Sequence, residues 1–128
     1  MSSRMIIASQ SVIWIIVALF LFLAPETIVT FFGATHTQFT LTLARIFGAE
    51  LTGLALVSWF TRNPQDPKVL QALLLSYFTC NTLGFIASLL GRMSGTMIPR
   101  GWLVVALYLV YALLFAYLLL TKPKRVGA

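Results

Sequence analysis

The chain has 128 residues, 59% of them hydrophobic and only 9% charged, with a formal net charge of +6. A water-soluble domain carries about 25% charged residues, so this composition excludes an ionic surface wrapped around a soluble core. Apolar stretches of roughly 18 or more residues recur instead, which reads as a polytopic membrane protein of one transmembrane domain, residues 1–128. The basic residues sit singly at the ends of these stretches, apart from a cluster at Lys122, Lys124 and Arg125. That placement fits membrane orientation and anionic headgroups rather than a nucleic-acid groove, so no nucleic-acid partner is expected. A single cysteine, Cys80, excludes an internal disulfide and any CxxC motif.

Taken in order, Met1 to Arg4 is a short basic lead and residues 6–23 form a first span. This run is longer than the roughly 7–15 residues of a signal-peptide core and lacks a closing A-x-A pattern, so the span is expected to be retained. Pro25 and Glu26 then open a segment ending at Gly33. Proline suits a first helical turn and glycine a C-terminal cap, so a short interfacial helix follows the first span, with Phe31 and Phe32 towards lipid. The competing reading makes it the frayed end of span one.

The second span covers about 39–60, with Trp59 at the headgroup level. Residues 61–68 are rich in helix breakers, and Asp66 before Pro67 is a good N-cap and first-turn pair. A third span covers about 69–90 and a fourth about 102–120, leaving a basic tail. With the N-terminus cytoplasmic, that side holds six basic residues (Arg4, Arg62, Lys68, Lys122, Lys124, Arg125) against two, Arg92 and Arg100, opposite. The positive-inside rule therefore favours both termini in the cytoplasm. Short connections predict an all-α, up-down-up-down integral membrane four-helix bundle.

Polar residues inside the spans are the candidates for a site. Glu50 lies about 16 Å from the start of span two, near the middle of a core about 30 Å thick. Arg45 lies about 9 Å in, where its long stem can snorkel outward. The two stand about 140° apart around the helix, a poor geometry for an intrahelical pair. Asn81 on span three falls at a similar depth, as do Tyr108 and Tyr111 on span four, and Trp14 on span one offers its indole N–H. The expectation is a midplane layer of Trp14, Glu50, Asn81 and Tyr111, enclosing a carboxyl that burial keeps protonated unless Arg45 bends towards it. Such a layer is either a ligand or proton site or an interhelical clasp.

Small residues recur every four positions: Ser76, Cys80, Gly84 and Ser88 on span three, and Ala44, Gly48 and Thr52 on span two, with Ala49 and Gly53 beside them. Stripes of this kind let helix backbones approach closely. Spans two and three are expected to pack through them, with a homo-oligomer contact as the alternative. Cys80 reads as a packing thiol rather than a nucleophile. His36 is the one histidine, so a bis-histidine haem is excluded; no metal or other cofactor is expected, a single axial ligand being the weaker alternative. Tyr108, Tyr111, Phe115 and Tyr117 line either a lipophilic pocket or ordinary helix packing.

Ala44-Arg45-Ile46-Phe47-Gly48-Ala49, the run on to Trp59, Pro25-Glu26 after span one and Gly101-Trp102 opening span four resemble small four-span bacterial membrane proteins, broadly DoxX-like. The resemblance implies a four-helix inner-membrane protein and carries no catalytic residues over to this chain.

No catalytic constellation stands out, so the expected function is non-enzymatic: an accessory subunit of a larger membrane complex or a self-associating bundle. The alternative is a small oligomeric transporter or carrier of protons or a lipophilic ligand that uses Glu50. An enzyme acting on lipids is the third reading, and a lone carboxylate without a paired base barely begins a catalytic site.

Overall fold

The computed structural model describes residues 2–33, 37–95 and 98–121. His36 and the basic cluster Lys122, Lys124 and Arg125 lie outside them. The fold is all-α, with helices α1 (Ser3–Leu23), α2 (Pro25–Phe31), α3 (Gln38–Phe60), α4 (Pro67–Met93) and α5 (Trp102–Thr121), the last preceded by a 3-10 turn at Pro99–Gly101. Four segments are long and apolar enough to cross a membrane: α1, α3, α4, and α5 with its 3-10 turn. The chain is thus a multi-pass membrane protein with the four spanning helices that its composition predicts.

Local chemistry sets the boundaries. Ser2 caps α1 by accepting from Met5 N–H at 3.2 Å. Pro25, which lacks the N–H a continuing helix needs, stops α1 and begins α2. The segment after span one is therefore a distinct helix rather than a frayed end. Gly33 follows α2 with φ 79°, a conformation that side chains disfavour. Thr37 and Thr40 cap each other's backbone N–H groups at 3.0 and 2.9 Å at the start of α3. Asp66 accepts from Lys68 N–H at 2.8 Å, with Pro67 in the first turn of α4.

The helices fall into two compact units, Met1–Asn63 and Pro64–Ala128. In the first, α1 and α3 form an antiparallel hairpin, with α2 against both. Its register runs from Ser58 beside Ile7 to Gly48 beside Ala18 and Phe22. In the second, α4 and α5 form another antiparallel hairpin, with Gly84 beside Tyr108 and Tyr77 beside Phe115. Arginines meet tryptophans at the helix ends: the Arg62 guanidinium lies 4.1 Å from the Trp59 ring centre, and that of Arg92 lies 5.4 Å from Trp102. Paired cationic and aromatic groups suit the headgroup level of a bilayer. Many large apolar side chains are exposed along the helices, among them Phe20, Ile46, Phe60, Leu113 and Leu120.

Candidate functional site

In the first unit, the face α3 turns to α1 carries Gly48, Leu51, Ala55 and Ser58, all buried. Gly48 sits against α1 backbone: a Cβ there would stand 2.9 Å from Phe22 N and 3.0 Å from Ala18 O. Close approach of this kind brings main chains into van der Waals contact, the chief source of helix association in lipid. Near the opposite end, the Ile7 carbonyl accepts from Ser11 Oγ at 2.8 Å and, across the hairpin, from Ser58 Oγ at 3.5 Å. Gln10 and Trp14 are buried on the same side of α1.

In the second unit, Leu74, Tyr77, Asn81 and Ser88 form the buried face of α4, and Val105, Tyr111, Ala112, Phe115 and Leu118 that of α5. The Tyr77 and Phe115 rings lie 5.3 Å apart between centroids, and Tyr111 and Phe115 6.2 Å apart. Tyr108 covers Gly84 so tightly that a Cβ on the glycine would lie 2.6 Å from the ring's Cδ1. Asn81 donates through Nδ2 to the Tyr77 carbonyl at 2.8 Å. Ser88 donates to the Gly84 carbonyl at 2.8 Å.

Measured against the expected midplane layer, Asn81 and Tyr111 are both buried in the second hairpin. The register that sets Tyr77 by Phe115 and Gly84 by Tyr108 puts them at one level. Trp14 is buried in the first hairpin. Glu50 departs from the expectation: it is exposed, as is Arg45. Glu50 stands about 100° from Leu51 and about 160° from Gly48 around α3, so it points away from the face that meets α1. Residue count gave its depth but not its azimuth. Glu50 lies twelve residues beyond Gln38 in a helix of 23, and the expected enclosure of its carboxyl gives way to an outward-facing acid at mid-helix. Among the described residues, no ion pair or side-chain hydrogen bond engages Arg45 or Glu50.

The small stripes need a second correction. They are expected to join spans two and three, but Gly48 is filled by α1 and Gly84 by Tyr108 of α5. A glycine notch takes one neighbour, and in both cases the hairpin partner occupies it. Gly53 differs, because nothing approaches within 4 Å of where its Cβ would stand. Cys80 is a free, half-buried thiol, and Ser76 is exposed, donating to the Ala72 carbonyl at 2.8 Å.

Sequence reasoning missed Ser58 as an interhelical donor and Gln10 as a buried polar group. Two signals were available: Ser58 continues the small-residue face of Gly48 and Ala55, and Gln10 is an amide inside an apolar run. It also missed a groove of about 240 Å³ lined by Ser11, Val12, Ile15, Ala55, Leu56 and Trp59. Ligand sites commonly run from about 300 to 1,000 Å³, and this groove, apolar apart from Ser11, falls below that range.

The feature with the greatest chemical consequence is the outward face of α3. Insertion scales put the cost of an Asp, Lys or Arg at the centre of a spanning helix at about 2.5–3.5 kcal/mol. Arg45 and Glu50 are both exposed, five residues apart, within the spanning helix α3.

No curated protein and no solved structure matches the chain. A family described as a domain of unknown function (DUF8292) matches residues 8–125, and the chain belongs to that family.

Proposed function

We propose that the protein is a non-enzymatic component of the plasma (inner) membrane, its termini cytoplasmic, which acts by helix association as a self-associating bundle or an accessory subunit. The observation that carries this reading is the exposure of Arg45 and Glu50 on α3, inside the spanning part of a helix whose other flank is already committed to α1. The disposition of several span hydroxyls supports it. Ser9, Thr52, Ser76, Thr79 and Ser88 each donate to a carbonyl of their own helix. Native mass measurement in lipid nanodiscs or mild detergent tests the reading. Assemblies of more than one chain, or stable copurifying membrane proteins, are the expected result. A solitary monomer across conditions overturns it.

The carrier reading draws on the apolar groove between α1 and α3 and on the acid at mid-helix. A four-helix subunit is a small wall for a passage, so this version also needs several copies. Glu50→Gln separates the two readings, because it keeps hydrogen bonding and removes titration. Proton or ligand flux that disappears in this variant, while assembly persists, favours the carrier.

A further inference from the structure

We propose that the outward face of α3 pairs in parallel with the same face of a second copy of this chain, and that Arg45 of each copy binds Glu50 of the other. The inference rests on the association reading above and names the partner and the contact.

Thr42, Ile46, Ala49, Gly53, Leu56 and Phe60 follow one another at alternating steps of four and three, and all six are exposed. This is the a/d spacing of a left-handed two-stranded seam. Assigning Ile46, Gly53 and Phe60 to a makes Thr42, Ala49 and Leu56 d. Arg45 then takes g, and Glu50 takes e of the same seam. In parallel pairs, g of one helix faces the e′ five residues further along the other, and these flanking charges set partner and orientation. Arg45 and Glu50 are separated by that interval. A two-fold axis along the membrane normal brings Arg45 to the partner's Glu50 on one side of the seam and repeats the pair on the other, an isologous contact.

The spacing that makes Arg45 and Glu50 poor partners within one helix thus makes them complementary between two. The centre of the seam suits close approach. Ala49 and Gly53 form a small-xxx-small pair, and the space over Gly53 is open to 4 Å, which leaves room for a neighbouring helix. Gly48, by contrast, is occupied by α1. The two glycines divide the labour: one closes the hairpin and the other is left for a second copy. Both copies sit in one bilayer with the same orientation, so the parallel arrangement needs no inversion of topology.

The test is disulfide cross-linking in native membranes, with Cys80→Ala as background. Gly53→Cys is expected to give a covalent dimer on mild oxidation, and Phe47→Cys, exposed but off the seam, to give little. Adding Arg45→Glu or Glu50→Arg to the Gly53→Cys chain leaves like charges across the seam and is expected to lower the dimer about tenfold. The combined exchange Arg45→Glu with Glu50→Arg is expected to restore it, even where a single reversal inserts poorly. Equal cross-linking at positions 47 and 53, or single reversals that leave the dimer unchanged, overturns the proposal. A multi-chain native mass with no cross-link at position 53 overturns it while sparing the association reading, whereas a monomer by both measurements removes both.

Discussion

Gly48 on α3 and Ala18 on α1 meet main chain to main chain: a Cβ at position 48 would stand 3.0 Å from the Ala18 carbonyl oxygen. The first hairpin is closed at that point, and the nearby atoms, Phe22 N, Ala18 O and Leu21 Cβ, cannot rotate aside. Gly48→Ala is therefore expected to destabilise the first hairpin by about 1–3 kcal/mol, the usual range for overpacking. Gly53→Ala serves as the control, since it meets nothing within 4 Å and gains up to about 1 kcal/mol of helix propensity. Denaturant titration of the monomeric form in detergent checks the pair, and equal effects at the two glycines would count against the packing described.

Gly84 supports the second hairpin differently, because its neighbour is a side chain. Gly84→Ala drives a methyl into the Tyr108 ring, and a loss of about 1–3 kcal/mol is expected. Trimming the ring with Tyr108→Ala should recover part of that loss, since the two residues are in contact and their effects couple. Strictly additive effects in the double variant would show that the ring does not rest on the glycine.

Ser58 donates across the first hairpin, at 3.5 Å to the Ile7 carbonyl. Contacts of this class average about 0.6 kcal/mol in membranes, so Ser58→Ala should cost less than 1 kcal/mol, well below Gly48→Ala. A larger loss for Ser58→Ala would move the weight of the hairpin from close packing to hydrogen bonding.

These contrasts show what the sequence could and could not convey. The helix ends were legible because they depend on local chemistry. Pro25 lacks an N–H, Asp66 and Pro67 form a cap and first turn, and Gly33 accepts positive φ. The depth of Glu50 followed from its count along the span. Its direction did not, because α3 is apolar nearly all round and offers no polar flank to mark the buried side. The inward face was set by where Gly48, Ala55 and Ser58 let α1 approach. A helix wheel of Gly48, Ala55 and Ser58 marks that face and leaves Glu50 outside it, with Ala49 and Gly53 on another flank, while Asn81 and Tyr111 keep their common level in the second hairpin.

In the proposed pairing, α3 presents complementary charges to another copy. The most direct measurement coexpresses two differently tagged chains, one carrying Arg45→Glu and the other Glu50→Arg, and captures one tag from lipid nanodiscs. Each variant alone puts like charges on both sides of the seam, whereas the mixed pair sets acid against base twice. Efficient capture of the mixed pair and weak self-capture of either variant are expected. Self-capture of both variants at the level of the unsubstituted chain, with no preference for the mixed pair, would contradict the pairing.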